Sequence, residues 1–331
     1  MSISKRNING KNTNPIGLGC MSLSWAYGVP PSEEDAAKLL HRALDLGYDH
    51  LDTANIYGLG HNETLLGNAL QGRRNAFFLA TKMGLIIDGA KRGVDCSPAA
   101  IRKCVEESLA RLQTDHIDLY YMHRRDFNVP IEESVGAMAE LIKEGKIGSI
   151  GLSEMSAETL RKAAAEHPIA AVQTEYSLWT RNPEIGVLQA CKELGTTLVA
   201  FSPVGRGVLA NGVRDIDGLA EKDLRRNMPR FNADNWPKNL KLVDQFNAIA
   251  QEEGLTPAQL SLAWVLSRGE HVVAIPGTAS IAHLEENLAR WDWEISAEAE
   301  ARLDALINQQ TVSGPRYGEL IQKTIDTEEF A

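Results

Sequence analysis

Four polar residues, Asp52, Tyr57, Lys82 and His123, follow short apolar runs that read as β-strands: Tyr48 to Leu51, Phe77 to Ala80 and Ile117 to Met122. Parallel strands would deliver all four to one edge of a sheet. A phenol titrates near pH 10 and is by itself a reluctant proton donor at neutral pH. An ammonium beside it favours the phenolate, and a carboxylate beside the ammonium keeps the lysine charged despite burial. Tyr57, Lys82 and Asp52 have the identities for such a relay, and the His123 imidazole could orient a substrate oxygen or join the proton transfer. The set suits protonation of a carbonyl oxygen while its carbon is attacked. Because no side chain donates hydride, a nicotinamide cofactor is implied.

The elements that must position these residues alternate. Short strand-like runs lie near Ile16–Cys20, His50–Asp52, Phe77–Thr81, Ile117–Met122, Ile147–Gly151, Ala171–Gln173, Thr197–Phe201 and His271–Ile275, with longer helical stretches between them. Ser32, Ser97-Pro98, Ser156 and Thr256-Pro257 are helix start signals, and Gly47, Gly145 and Gly195 are stop signals. Eight such units favour a closed (β/α)8 barrel, with a site at the C-terminal ends of the strands. Asn9-Gly10 is a turn signal. The segment Asn211 to Trp236, broken by Gly218 and Pro229, reads as a flap with a short helix around Leu219–Arg226. No linker, repeat or low-complexity tract divides the chain, so residues 1–331 read as one barrel domain.

Composition narrows the remaining classes. A chain of 331 residues with 44% hydrophobic content can bury a large core, and its net charge of −10 gives no general attraction to nucleic acid or anionic membrane. Cys20, Cys96, Cys104 and Cys191 form no CxxC or CxxH pair, so neither a zinc site nor a disulfide framework is expected. The N-terminal MSISKRNING has no apolar signal core and no later run approaches the ~18 apolar residues of a membrane span. A cytoplasmic protein acting on a small molecule follows, with its oligomeric state open.

The chain resembles the aldo-keto reductases. The stretches HLDTANIYG at 50–58, LATKMG at 79–84, LYYMHRRD at 119–126, IGLSE at 150–154, VQTEYS at 172–177, FSPVGRGVL at 201–209 and IPGT at 275–278 stand in family order across nearly the whole chain. The GLSE and SPVGRG wording is most similar to a bacterial and plant branch that includes pyridoxal reductases and auxin-induced-type reductases. The resemblance implies a TIM barrel with an N-terminal hairpin at its base and extra C-terminal helices. It also implies NADPH-dependent, reversible reduction of an aldehyde or ketone, with hydride from the nicotinamide C4, the proton from Tyr57, tuning by Lys82 and Asp52, and positioning of the oxygen by His123.

With no GxGxxG after a first strand, a Rossmann binding mode is not supported. The resemblance instead lays the dinucleotide across the barrel mouth. Ser153 and Gln173 would bond the nicotinamide carboxamide, and Phe201 would stack on the ring where many relatives carry tyrosine. Ser202, Pro203, Gly205, Arg206 and Gly207 would wrap the pyrophosphate, the glycines allowing close approach and Arg206 acting as a mobile cation. Thr278, Ser280, His283, Glu286 and Asn287 would meet the adenosine end at a helix start. Many relatives place a lysine and an arginine around the 2′-phosphate where this chain has Gly277 and His283. Thr278, Ser280 and Arg206 or Arg290 remain to favour NADPH over NADH.

Each residue also has a plainer reading. Asp52 could cap a turn, Tyr57 could be a loop aromatic, and a lone histidine such as His123 is more often structural. Lys82 directly after a buried strand demands an anionic partner. Trp25, after the first strand, is the candidate substrate wall, and selectivity is expected in the loops Trp25–Pro30, Ile86–Cys96 and Arg124–Val129 and the tail Ser313–Ala331. Two other functions are compatible with the sequence. One is a redox-sensing, cofactor-binding subunit of a larger complex with slow turnover. The other is a metal-dependent hydrolase using His123 and Asp52, for which no HxH ligand cluster exists.

Overall fold

The computed structural model describes residues 4–88, 91–289 and 294–330. Strands β1 (Arg6–Ile8) and β2 (Lys11–Thr13) form an antiparallel hairpin. Its turn is Asn9-Gly10, with φ of 49° and 82°, the two successive positive values that a tight hairpin turn requires. Ile8 is fully buried among the side chains that fill the barrel, and Thr197 donates to the Asn7 carbonyl at 2.9 Å. The hairpin therefore stoppers the N-terminal end of the barrel.

The barrel strands are β3 (Leu18–Gly19), β4 (His50–Asp52), β5 (Phe78–Met83), β8 (Leu119–Met122), β9 (Ile150–Ser153), β10 (Ala171–Glu175), β11 (Thr197–Phe201) and β12 (Val272–Ile275), hydrogen-bonded in that order and all parallel. Parallel bridges Ile16–Ala274 and Gly19–Gly277 join the last strand to the first, so the fold is a (β/α)8 barrel. Between β5 and β8 lies an antiparallel hairpin, β6 (Leu85–Asp88) and β7 (Lys91–Val94), in a stretch whose sequence had suggested only a loop.

Helices cover the outside: α1 (Glu33–Leu46), α2 (His61–Ala69), α3 (Pro98–Leu112), α4 (Ile131–Lys143), α5 (Ala157–Glu166), α6 (Val187–Leu194), α7 (Trp236–Glu252), α8 (Pro257–Ser267) and α9 (Ile281–Leu288), followed by α10 (Ala297–Leu306) and the short α11 (Glu319–Gln322). Their ends follow local chemistry. Ser32, Ser97 and Ser156 each accept the N–H three residues on, and Thr256 with Gln259 completes a reciprocal capping box. Gly47 and Gly195 close α1 and α6 in the left-handed conformation, φ 98° and 68°.

Side-chain alternation decides what reaches the site. In β5, Phe78 and Ala80 face the barrel interior while Leu79 and Met83 pack against the helices, so Lys82 is the inward residue at the C-terminal end. The same parity carries Leu119, Tyr121 and then His123 inward, and likewise Ala171, Gln173 and Glu175. The interior below is closed by Phe78, Ala80, Leu119, Val199, Val273 and Ile275, a packed plug that leaves only the mouth open for chemistry.

The flap differs from its expected form. No helix forms around Leu219–Arg226; the chain makes 3-10 turns at Leu224–Asn227 and Pro229–Phe231. The Asp223 carboxylate captures the Arg225 N–H at 3.0 Å, and Pro229 has no N–H to continue a helix. The segment docks on the loop after β3, with Leu224 N donating to Ala26 O at 3.0 Å and Gly28 N to Asp223 Oδ2 at 3.0 Å.

Candidate active site

Four residues from three strand ends meet around one ammonium group. Lys82 Nζ donates to Asp52 Oδ1, to the Thr53 carbonyl at 2.7 Å and to the Tyr57 hydroxyl at 3.4 Å. Its three donors are thereby matched to three oxygens. The Tyr57 loop is fixed by Asn55 N donating to the Lys82 carbonyl at 3.1 Å and by Asn62, whose amide donates to Cys20 O at 2.9 Å and whose Oδ1 accepts from Thr53 Oγ1 at 2.6 Å. The His123 ring stands edge-on to Tyr57, centroids 5.9 Å apart, and its backbone N–H is held by Met83 O at 2.8 Å. Lys82 also lies 5.9 Å from the Tyr121 ring, its neighbour across β8.

Burial governs the electrostatics here. It raises the Tyr57 phenol above its ordinary value even though Lys82 pulls the other way, so the proton stays on the oxygen at neutral pH. Burial would lower Lys82, but Asp52 and Tyr57 more than offset it and hold the ammonium. Burial, then Arg124 and Lys82, pushes His123 well down, leaving a neutral imidazole. Because the phenolic oxygen accepts from Lys82, its own proton points elsewhere. Among the described residues the buried His123 Nδ1 has no partner either. A protonated phenol and a neutral imidazole, side by side, can hydrogen-bond one ligand oxygen and pass it a proton.

The other residues singled out from the sequence spread around the same mouth. Ser153 and Gln173 are register partners on β9 and β10. Gln173 Nε2 donates to Asp52 Oδ2 at 2.7 Å, so Asp52 orients the amide. Phe201 ends β11 half-buried, and Ser202 follows with φ 49°. Pro203 O accepts from Ser261 at 2.7 Å. Gly205 and Gly207 have φ of 57° and 90°, and a Cβ on them would meet Trp179 at 3.1 Å and Arg225 at 3.2 Å, so glycine is demanded there by the protein's own packing. Thr278 Oγ1 accepts the Ser280 N–H at 3.0 Å, and Ser280 caps α9; His283 is exposed, with Nδ1 3.3 Å from Thr278 Oγ1. Glu286 is half-buried and Asn287 buried on the same helix, while Arg290 lies outside the described residues. Trp25 is 37% exposed at the rim.

Arg206 departs from its expected role as a mobile cation. It is buried, donating to Glu175 Oε2 at 2.6 Å, to Tyr317 at 2.6 Å and to Tyr27 at 3.0 Å. Arg316 joins the same cluster, bonding Glu175 at 2.8 Å and Glu154 at 2.5 Å. The mobile reading failed because the carboxylates that follow β9 and end β10 were left without partners, although an acidic residue at the end of a buried strand calls for a cation. That signal, present in GLSE and VQTEYS, could have found the cluster. Thr53 and Tyr121, which also shape the Lys82 site, carried no comparable signal.

A Ser153 hydroxyl and Gln173 carbonyl at the barrel top, an aromatic ring at Phe201 and a capped helix start at Thr278–Ser280 match the donor set of a dinucleotide laid across the mouth. Among the described residues no group of three or more His, Cys, Asp or Glu is placed to hold a metal ion, and no helix is long and apolar enough to cross a membrane.

Residues 15–308 match the model of the aldo/keto reductase family. The chain is 41% identical over 324 residues to the NADP(+) aldo-keto reductase yakc of Schizosaccharomyces pombe, covering 96% of this chain and 95% of that one. It is 40% identical over 319 residues to probable aldo-keto reductase 1 of Glycine max, covering 95% and 91%. Its structure is similar to the glycerol dehydrogenase of Gluconobacter oxydans, with a TM-score of 0.85, 29% identity and full coverage of both chains. It is also similar to an aldo/keto reductase of Klebsiella pneumoniae solved with NADP and acetate, with a TM-score of 0.72, 28% identity and coverage of 96% and 99%. The strand-end lysine, phenol, carboxylate and imidazole thus sit in a chain that belongs to the aldo/keto reductase family.

Proposed function

We propose that the protein is an NADPH-dependent carbonyl reductase that converts an aldehyde or ketone to the alcohol, reversibly. The observation that carries this reading is the buried Tyr57 hydroxyl, hydrogen-bonded to an ammonium that Asp52 keeps charged, beside a neutral imidazole. NADP-linked relatives among the similar proteins support it.

Bound NADPH supplies the hydride. The protein's part is to fix the carbonyl: the His123 imidazole and the Tyr57 hydroxyl both hydrogen-bond its oxygen, and Tyr57 releases its proton as negative charge grows there. Lys82 stabilises the resulting phenolate, and Asp52 keeps Lys82 cationic while aligning Gln173. A preorganised pair of donors aimed at a developing alkoxide is the arrangement that lowers such a barrier most. Ser153 and Gln173 would hold the carboxamide, Phe201 would cover the ring, Ser202–Gly207 would line the pyrophosphate, and Thr278, Ser280, Glu286 and Asn287 would receive the adenosine end. A cytoplasmic location fits a reductase of this kind.

The test is NADPH consumption by purified protein with a panel of aldehydes and ketones. Multiple turnovers with a lower Michaelis constant for NADPH than for NADH are expected. A preference for NADH would overturn the cofactor assignment, and a single turnover followed by retained oxidised cofactor would replace the enzyme with a sensor.

A further inference from the structure

Arg124, immediately after His123, is the guanidinium at the mouth with the most unused capacity. Its neighbour Arg125 donates to Asp126 O and Val129 O, both at 2.8 Å, and lies 5.8 Å from the Phe127 ring, so it serves the loop. Arg206 and Arg316 are bound to buried carboxylates. Arg124 is half-buried, yet among the described residues it forms no ion pair, and its single side-chain hydrogen bond goes to the His123 carbonyl at 2.7 Å. A guanidinium has five N–H donors in a fork that matches a carboxylate.

Its backbone is fixed on both sides: His123 N is held by Met83 O at 2.8 Å, and the Arg124 carbonyl accepts from Cys96 Sγ at 3.6 Å. The charge is felt inside the site, where it helps to keep His123 neutral and opposes the upward shift of Tyr57. The loops that follow β3, β4, β5 and β8 expose Trp25, Leu59, Ile86 and Phe127. The Arg124 charge helps to hold the Glu154 carboxylate down, yet among the described residues no carboxylate meets its fork, so most of its donors are left for a ligand.

We infer that Arg124 recognises an anionic substituent of the substrate, so that the pocket selects aldehydes and ketones carrying a carboxylate over neutral ones of the same size. This deepens the carbonyl reductase reading and rests on it. The exposed apolar loop side chains accommodate the body of the molecule, His123 and Tyr57 hold the carbonyl oxygen, and the guanidinium fork holds the acid group.

Two aldehydes of similar size separate charge from shape: 4-carboxybenzaldehyde and 4-methylbenzaldehyde. The wild-type protein should have the higher kcat/KM for the first, and Arg124→Gln should lower that value by roughly 10- to 100-fold more than it lowers the second, the range of a lost charge-assisted contact. Arg124→Lys should recover part of the preference, and added salt should shrink it. Equal losses for both aldehydes would show a structural role and sink the assignment, as would an unchanged preference in Arg124→Gln. If neither aldehyde is reduced, the reductase reading fails separately. Binding of 4-methylbenzoate to the NADP+-saturated protein, measured by calorimetry, then decides the Arg124 assignment: weaker binding in Arg124→Gln upholds it, equal binding overturns it.

Discussion

Two charged clusters lie buried at the same end of the barrel; burial prevails over the acid group in one and is overcome in the other. Around Lys82, one cation serves both Asp52 and Tyr57, and burial raises the phenol. Around Glu175, two arginines face two carboxylates, and they outweigh burial: Glu154 lies below its ordinary value, Glu175 is held down at about 2, and Arg206 and Arg316 lie above theirs. The first cluster keeps a transferable proton and open hydrogen-bonding positions. The second pairs its charges with one another. The difference separates a site that does chemistry from a clamp that holds the tail to the barrel, since Arg316 and Tyr317 belong to the C-terminal segment and Asp326 N also donates to Glu154 O at 3.0 Å.

Removing the proton should expose the contrast most sharply. Tyr57→Phe is expected to cut turnover by about 10²- to 10⁴-fold, the range of a general acid, with cofactor binding and thermal stability nearly intact. Turnover within a few-fold of wild type, in steady-state assays of the reduction, would remove Tyr57 from the acid role. Because the phenol is raised, the reduction rate should persist through neutral pH and fall only on the alkaline side as Tyr57 ionises.

How far each cluster could be read beforehand follows from where its residues sit in the chain. Asp52, Lys82 and His123 end short apolar runs, and inward parity on β4, β5 and β8 brings them together, so the strand pattern carried most of that cluster and of the barrel. The clamp was legible only in its acidic half, Glu154 and Glu175, and not in the cations that meet it. Glu154 and Arg316 are 162 positions apart and meet only because the tail folds back across the mouth, which no periodicity announces. The flap was readable as an excursion but not as turns, since Asp223 capturing its own loop is a local choice that competes closely with a helix. The β6–β7 hairpin escaped for a similar reason, because its strands are short and one contains Gly93.

Breaking the clamp should cost stability instead of chemistry. Arg316→Ala leaves Glu154 and part of Glu175 buried without their cation, a loss expected at about 3–5 kcal/mol. Urea unfolding would measure it. A loss under about 1 kcal/mol would mean that water reaches the cluster and the pairs contribute little, as on a surface. Acid should open the clamp without mutation. Glu175 is depressed in the folded protein, so its contribution is full above the unfolded carboxylate value of 4.5 and is lost as pH falls toward about 2. Stability should therefore drop over that window, and Glu175→Gln, already destabilised at neutral pH, should lose less on acidification than wild type.

The smallest effect tests whether the two clusters communicate. Tyr27 gives Arg206 a hydrogen-bonding partner at 3.0 Å, its ring lies 5.0 Å from the Arg225 guanidinium, and its loop also carries the rim residue Trp25. Tyr27→Phe keeps the ring and removes one hydrogen bond to a charged group that retains Glu175 and Tyr317. The stability loss should be modest, about 1 kcal/mol. The informative quantity is the Michaelis constant for the carbonyl substrate. If the clamp positions the rim, that constant rises while kcat, which the proposed mechanism assigns to Tyr57, His123 and Lys82, stays level. If both stay level, the clamp holds the tail and nothing more, and the loop after β3 is positioned by Leu224 and Asp223 of the flap together with His61 and Asn62, each 2.8 Å from Ser24 Oγ.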